Sequence, residues 1–243
     1  MIIYTTRWKR YLELWFDETE PPGDYDVVVR HRCPNADHPG RFEAFYTLCI
    51  DLTDSADAIL HRFSRNTRAQ IRKSAESDAL IFEFIDQPTP HQLAEFSAFY
   101  DEFARAKGVE MPGPSLLEAH RASGQFRLSR VRLGDDDLVW HANVCAGRTI
   151  GMLYSASQLR HSDIETRRLI GRANRRLHWE ELQRFRGEGL RCYEFGGWYE
   201  GSSDAEKLSI NRFKEEFGGT KVRWYAGVEN RSMTAKLIAA LPR

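Results

Sequence analysis

The sequence predicts a mixed α/β (α+β) fold in which a mostly antiparallel central sheet is flanked by helices. Three β-type runs follow one another between residues 126 and 155 and are joined only by short turns, which is typical of an antiparallel meander. Helical patterns with apolar residues three and four apart alternate with further β-type runs before and after this meander. With 42% hydrophobic and 29% charged residues in a chain of 243, the composition is that of a globular protein able to bury a core.

The first half of the chain is predicted to begin with strands and to continue with helices. Alternating or apolar runs bounded by Pro, Gly and polar residues indicate strands, and Ser, Thr or Asp before an apolar helical pattern indicates a helix start. The predicted elements are strands 25–31 and 44–52, a helix from Asp54 or Ser55 to about Glu76, a strand 80–85, a helix from Pro90 to Gly108 and a short helix from Pro114 to about Ala122.

The second half contains the meander followed by two helix–strand units. Glycines end both helices of these units, and an aspartate precedes the second of them, as expected for helix caps. The predicted elements are strands 126–133, 138–145 and 149–155, an Arg-rich helix 166–187, a strand 191–195, a helix from Asp204 to Phe217, a strand 222–226 and a last helix from about Met233.

The domain organisation predicted from these elements is one main domain, residues 54–243, preceded by the N-terminal strands of residues 1–53. We interpret the N-terminal segment as a partial or vestigial subdomain. It could complete the sheet, remain from a second domain or form a dimer contact, and the sequence does not rank these three roles.

Charge and cysteine content exclude several function classes. Thirty-five Lys plus Arg balance thirty-five Asp plus Glu, so the chain as a whole has no field suited to capturing a polyanion. The four cysteines are far apart and indicate no disulfide framework. No apolar run approaches the ~20 residues of a membrane span, so we expect a cytoplasmic protein without membrane insertion.

The chief local motif is Arg168-Leu-Ile-Gly171-Arg172-Ala173, which follows the meander and is predicted to open the Arg-rich helix. Small residues at a helix start let backbone N–H groups approach a pyrophosphate, and arginines supply positive charge. The motif therefore fits an anion site. A solvated basic helix start is an equally good interpretation of the same residues.

The order meander, R-x-x-G-x-A, helix, strand, helix, strand resembles the GNAT acyltransferase superfamily. Three further segments, 177–182, 189–197 and 211–219, together with residues 66–73, resemble its FemAB-like branch. The chain differs in having Glu194 where that branch carries an aspartate, and it is shorter than the cell-wall enzymes, which contain two GNAT domains. The resemblance implies a GNAT-like fold.

The resemblance also implies roles for particular residues. Arg168, Gly171, Arg172 and Ala173 would hold the pyrophosphate of acyl-coenzyme A. Lys214, beside Phe213 in the F-K motif near the donor, would stabilise charge that develops on the transferred acyl group. A surface lysine on an amphipathic helix is the alternative interpretation of Lys214.

Acyl transfer to an amine also requires proton transfer, for which the sequence offers candidates but no signature. His141 is a candidate base, although a lone strand histidine is more often structural. Tyr154 and Tyr193 could donate protons through their phenols or simply pack. Glu194 could act as base, bind an acceptor amine or cap the following loop.

A metal site is not expected. His178 and Glu181 lie three residues apart, and the second histidine of an H-E-x-x-H motif is absent from that segment.

We therefore predict an N-acyltransferase that moves an acyl group from acyl-coenzyme A to a small-molecule or peptide amine. Two alternatives remain open. The Arg-rich segment would also suit the acceptor end of a tRNA, which gives an aminoacyl-tRNA-dependent aminoacyltransferase. Because a fold does not guarantee chemistry, a non-catalytic GNAT binding module is the third reading.

Overall fold

The computed structural model describes residues 1–6, 8–158 and 163–239, and it joins ten strands of these residues in one sheet. The strands are β1 Ile2–Thr6, β2 Lys9–Trp15, β3 Val27–Cys33, β4 Arg41–Asp51, β5 Leu80–Ile85, β6 Phe126–Leu133, β7 Asp136–Ala146, β8 Thr149–Ser157, β9 Cys192–Gly197 and β10 Thr220–Asn230. The helices are α1 Ala56–Arg62, α2 Arg65–Ser77, α3 Pro90–Lys107, α4 Pro114–Ala122, α5 Ile164–Gly187, α6 Ala205–Glu215 and α7 Met233–Ala239.

The sheet order is β1-β2-β3-β10-β4-β9-β8-β7-β6-β5. Among the described strands, β2 pairs with β3 and β8 pairs with β9 in parallel, and the other neighbours are antiparallel. The predicted mixed, mostly antiparallel sheet with flanking helices is confirmed, including the meander β6–β7–β8.

The N-terminal residues belong to this same sheet. Strands β1 and β2, which the sequence analysis did not predict, pair with each other and extend the sheet beyond β3. Trp15 and Phe16 at the end of β2 pack with Val144 and Ala146 of β7. The first 51 residues therefore complete the sheet and cover part of one face, whereas a domain boundary at residue 53 stays a prediction.

Helices cover both faces of the sheet because side chains alternate along each strand. On β7, Trp140 and Ala142 pack in the cluster that contains α3 and α4, whereas Val139 packs in the cluster that contains α5. Helices α1, α2 and α5 also share a cluster with β4 and β9. The candidate site lies where β8 and β9 pass between these two layers.

The predicted helix between residue 54 and residue 76 is two helices. The backbone leaves the helical region at Phe63, and the Ser64 side chain accepts a hydrogen bond from Thr67 N to start α2. A serine that caps a new helix satisfies amides that a continuous helix would bond internally, so the apolar spacing alone could not reveal the break.

Helix α5 begins two residues earlier than the sequence pattern predicts. The Asp163 side chain accepts from the amides of Glu165 and Thr166, so the cap and first turn precede the R-x-x-G-x-A motif. None of the helices in the described ranges is long and apolar enough to cross a membrane.

Candidate active site between two diverging strands

Strands β8 and β9 pair over only three residues each and then separate. Thr149, Ile150 and Gly151 of β8 face residues 192–194 of β9. Beyond Gly151, β8 continues beside β7 to Ser157, while β9 stays beside β4 to Gly197. The backbone groups on the facing edges beyond this point are therefore available to other partners.

An ion pair lies at the point of separation. Glu194 of β9 is completely buried and contacts Arg32, which comes from the end of β3. Arg32 Nη2 also donates to the carbonyl oxygen of Met152, 2.7 Å away, just beyond the last β8–β9 pair. The guanidinium therefore occupies the gap between the strands and bonds to a backbone group that β9 no longer reaches.

Gly151 is required by this close approach. A Cβ atom at this position would lie 2.1 Å from Arg32 Nη1, 2.7 Å from Glu194 Oε2 and 3.0 Å from the Phe16 ring. The absence of a side chain on β8 thus lets three side chains from different strands converge.

Two residues of the N-terminal strands adopt left-handed backbone conformations near this point. Phe16 has φ 59° and Arg32 has φ 58°. Such conformations cost non-glycine residues on the order of 1–3 kcal/mol and are concentrated at functional sites. They turn the chain as β2 and β3 end, and the Arg32 guanidinium lies 5.1 Å from the Trp15 ring centroid and 5.4 Å from that of Phe45.

Lys214 of α6 approaches the point where Arg32 and Glu194 meet. Its ammonium donates to the carbonyl oxygen of Gly197, where β9 ends. Burial lowers the pKa of Lys214 to about 8, with Arg32 lowering it further and Glu194 opposing the change. The ammonium is therefore mostly protonated at neutral pH in a site with little water.

We call Arg32, Thr47, Glu194 and Lys214 the opening cluster. Thr47 of β4 completes it, because its hydroxyl donates to Glu194 and lies 2.8 Å from the carbonyl oxygen of Gly196. The structure thus brings together two of the predicted site residues, Glu194 and Lys214. It holds the Glu194 carboxylate on Arg32 and Thr47, and the base role of Glu194 stays a prediction.

Tyr154 lies farther along β8 on the face that carries α3. Its ring packs 5.1 Å from that of Tyr100, and burial raises the pKa of its phenol to about 12, with Tyr100 and Glu13 adding to the effect. A phenol with this pKa stays protonated at neutral pH but is a weak acid, and the proton-donor role of Tyr154 stays a prediction.

His141 lies on the opposite face of the sheet, under α5, rather than at the opening. Its Nδ1 is 3.0 Å from Glu181 Oε2 and its Nε2 is 3.0 Å from Asn174 Oδ1. The side chain is fully buried. Since both ring nitrogens are engaged and no solvent reaches the ring, this placement argues against His141 as the base that meets an acceptor.

Glu181 is the centre of a larger hydrogen-bonded group, which we call the core network. Its two carboxylate oxygens accept hydrogen bonds from four side chains, and a further histidine bonds to one of the donors. The members are Ser129, His141, Asn143, Asn174, His178, Glu181 and Tyr193. His141 and the hydrogen bonds keep the pKa of Glu181 low although burial alone would raise it.

The core network also contains the second histidine that the local metal motif lacks. His178 and Glu181 lack a second histidine in their own segment, but the fold supplies His141, and ligand atoms of the three residues lie within 4.8 Å of one another. Four hydrogen bonds already fill the acceptor positions of the Glu181 carboxylate. This occupancy fits a structural polar network better than a cation site.

The residues predicted to hold the donor phosphates lie within α5. Arg168 is exposed and pairs with Glu165, whereas Arg172 makes two 2.8 Å hydrogen bonds to Asp78. Gly171 and the fully buried Ala173 lie inside the helix, where the i→i−4 pattern engages their amides. Of these groups, the Arg168 guanidinium is the one open to a large anion.

Phe213, the remaining predicted donor-site residue, packs inside the α5–α6 contact. Its ring lies 5.7 Å from His178 and 5.4 Å from Phe217, and the Arg175 guanidinium lies 5.0 Å from its centroid. Phe213 thereby fixes the helix that carries Lys214.

A family model described as an acetyltransferase (GNAT) domain matches residues 61–215, which is more than half of the chain. The chain belongs to this GNAT family. The matched residues include α5, β9 and Lys214. The family match identifies the protein as an acyltransferase. No curated protein matches the chain in sequence.

Two solved structures have folds similar to that of this GNAT chain. FemX is similar with a TM-score of 0.59 and 14% identity over 76% of this chain and 62% of FemX, so the chain spans less than two thirds of that protein. L-PGS from Bacillus licheniformis is similar with a TM-score of 0.55 and 14% identity, over 97% of this chain and 83% of that one. At 14% identity, both likenesses concern the fold.

Sequence reasoning did not find Arg32, Thr47 and Gly151 of this GNAT site. Arg32 is separated from Glu194 by more than 160 positions, and no local motif marks it. The one available signal was an arginine directly after the predicted strand 25–31, which requires a partner if it is buried. The identity of that partner depends on the sheet order.

Proposed function

We propose that the protein transfers an acyl group to an amine at the opening between β8 and β9, with Lys214 stabilising the oxyanion. The observation that carries the proposal is the position of the Lys214 ammonium, which lies at the end of β9 beside an ion pair and is nearly excluded from water. A preorganised cation in such a site stabilises developing negative charge far more than it would in water.

The reaction is a direct displacement on the acyl carbonyl. The amine nitrogen attacks the carbonyl carbon, negative charge develops on the carbonyl oxygen, and the leaving group departs with the electron pair of its bond to carbon. An ammonium has three protons; one is used on Gly197 O, so two remain for the oxyanion. Arg32 and Glu194 hold the opening at a fixed width.

We propose acyl-coenzyme A as the donor and a small-molecule or peptide amine as the acceptor. Arg168 is exposed on the second turn of α5, where it can reach a phosphate if it leaves Glu165. This exposed ion pair is weak and costs little to break.

An aminoacyl-tRNA donor is the second candidate, and one observation favours it. Arg172 is committed to Asp78, and Asp163 already occupies the first amides of α5. Some of the hydrogen-bond donors that the motif was predicted to offer to a pyrophosphate are therefore already engaged. A polyanion bound through exposed arginines would not need these donors.

Thermal unfolding with ligands distinguishes the donors. Saturating acetyl-coenzyme A, palmitoyl-coenzyme A, free coenzyme A and an aminoacyl-tRNA are each added, because a ligand at ~100 times its Kd stabilises by ~2.7 kcal/mol. We expect stabilisation by a coenzyme A species, and Arg168→Ala should abolish it. Stabilisation by aminoacyl-tRNA alone would identify the second candidate, and binding without transfer to any amine in a broad panel would indicate a non-catalytic module.

The oxyanion role is tested with Lys214→Met, for which Lys207→Met on the exposed side of α6 is the matched control. We expect turnover to fall by ~10²–10³-fold in the first variant, the loss typical for one oxyanion donor, and to stay within twofold in the second. Unchanged turnover in Lys214→Met would show that the oxyanion is stabilised elsewhere.

A further inference from the structure

A carboxylate–imidazole pair lies on the N-terminal strands beside the opening cluster. Glu13 of β2 is 5% exposed, and its Oε2 lies 3.1 Å from His31 Nε2 of β3. The Tyr4 hydroxyl donates to the other carboxylate oxygen at 2.9 Å. Burial alone would raise the pKa of Glu13, but His31, His120 and Tyr4 together more than offset this and lower it, so Glu13 is a carboxylate that can accept a proton from Nε2.

The second ring nitrogen of His31 is free. Within the described ranges no side chain or backbone group bonds to Nδ1, and 27% of the side chain is exposed. The Trp15 ring stacks on the imidazole with centroids 4.1 Å apart and an angle of 15°. The ring is thus fixed by a carboxylate on one side and by an indole face, while Nδ1 has no hydrogen-bond partner among the described residues.

This pair lies directly beside the convergence over Gly151. His31 precedes Arg32 in the chain, and Trp15, which stacks on His31, precedes Phe16. Arg32 and Phe16 are the two left-handed residues that meet at Gly151. The Trp15 ring has His31 on one side and the Arg32 guanidinium 5.1 Å from its centroid.

The charged and titratable groups around His31 come from four elements. They are Tyr4 of β1, Glu13 of β2, Arg32 of β3 and His120 of α4. The ring centroid of His120 lies 6.1 Å from that of Trp15. Burial lowers the pKa of His120 to about 4, so His120 is neutral at pH 7. Glu13 is therefore the one anion of this group that faces the imidazole.

We infer that His31 is the general base that takes the proton from the acceptor amine, and that Glu13 is its positioning residue. The inference rests on the proposed function, because it assigns the proton acceptor for that transfer. As the N–C bond forms and the bond from carbon to the leaving group breaks, the amine proton passes to His31 Nδ1. The imidazolium is stabilised by Glu13 and returns the proton to the leaving group.

The test compares two substitutions of His31 in the full chain. His31→Ala leaves a space under Trp15 that free imidazole can fill, whereas the Gln side chain in His31→Gln occupies that space. We expect kcat to fall by ~10²–10⁴-fold in both variants with KM for the donor unchanged. Added imidazole should restore kcat in His31→Ala and not in His31→Gln. Glu13→Gln should lower kcat by less than either variant.

The control is His91→Ala, since His91 is a histidine of α3 whose side chain is 83% exposed. It should leave kcat unchanged with and without imidazole. If His31→Gln is folded and turns over at the wild-type rate while Lys214→Met is inactive, the base assignment is wrong and the proposed function stands. If the wild-type protein transfers no acyl group to any amine, both fail together.

Discussion

Two buried carboxylates of this protein, Glu181 and Glu194, differ in how completely their hydrogen bonds are made. In the core network, each Glu181 oxygen accepts two hydrogen bonds, and both nitrogens of His141 are engaged. In the opening cluster, Arg32 Nη1 and Glu194 Oε2 are in contact but not aligned for a hydrogen bond.

The difference favours a stabilising role for the core network and the proposed functional role for the opening cluster. In the core network the Glu181 carboxylate has all its acceptor positions filled, although Asn143 Oδ1 has no partner among the described residues, and a carboxylate bonded in this way in a low-dielectric interior fixes one packing arrangement. The opening cluster instead combines a left-handed Arg32, a lysine of lowered pKa and an incompletely bonded carboxylate. Such costs persist where surrounding structure enforces them, and they are concentrated at sites that act on a ligand.

The largest expected effect is on the core network. Glu181→Ala leaves the histidine, serine, asparagine and tyrosine donors without their acceptor, and removing one partner of a buried charged pair costs about 3–5 kcal/mol. We expect a corresponding loss of unfolding free energy in denaturant. Glu180→Ala on the same helix removes a partly exposed pair with Arg176 and should cost no more than about 1 kcal/mol. Equal losses of unfolding free energy in the two variants would show that the core network contributes no more stability than a partly exposed ion pair.

The next effect concerns the pH dependence of stability at the opening. The pKa of Lys214 is about 8 in the folded protein against an ordinary 10.5, a difference equivalent to about 3 kcal/mol. Below pH 8, Lys214 is protonated in both the folded and the unfolded protein, and the full free-energy cost of burying its charge is present. Between pH 8 and 10.5 the unfolded state binds more protons, so stability rises with pH.

The measurement is the unfolding free energy of the wild type minus that of Lys214→Met across this window, which removes the contribution of tyrosines titrating in the same range. The difference should shift by up to about 3 kcal/mol in favour of the wild type. A flat difference would mean that the Lys214 ammonium is well solvated, and the opening cluster would lose its main electrostatic feature.

A smaller effect is expected from filling the convergence point. In Gly151→Ala the new Cβ meets Arg32 and Glu194 at less than contact distance, and overpacking of this kind costs about 1–3 kcal/mol. Turnover should fall as well, because the ion pair must move. Gly187→Ala, which meets nothing within 4 Å, should be neutral or slightly stabilising. Wild-type turnover in Gly151→Ala would show that the ion pair is not needed in its present position.

Several features of the fold could be predicted from the sequence because they depend on neighbouring residues. The meander, the order of helices and strands after it, and the Gly-bounded ends of α5 and α6 follow from local periodicity and turn residues. Strands β1 and β2 were not predicted. The break at Phe63 was missed because a capping serine resembles any polar residue of an amphipathic helix.

For the candidate site, the motif around Lys214 and Glu194 was predicted by resemblance, and the family match with GNAT domains bears out the fold and the enzyme class. The partners of those residues were not predictable. Whether His141 faces the opening or the α5 side is decided by strand alternation within the sheet, and Arg32 of β3 meets Glu194 of β9 although β10 and β4 lie between these strands.

The sequence by itself therefore determined the class of fold, the helix–strand order from residue 80 onward and the family, all of which follow from short-range patterns. Only the tertiary structure decided which charges meet. Arg32 of β3 meets Glu194 of β9 across two intervening strands, a glycine on β8 admits the ion pair, and left-handed turns at Phe16 and Arg32 bring two side chains to it. These contacts join residues distant in the chain, and their energies depend on burial, which no local pattern specifies.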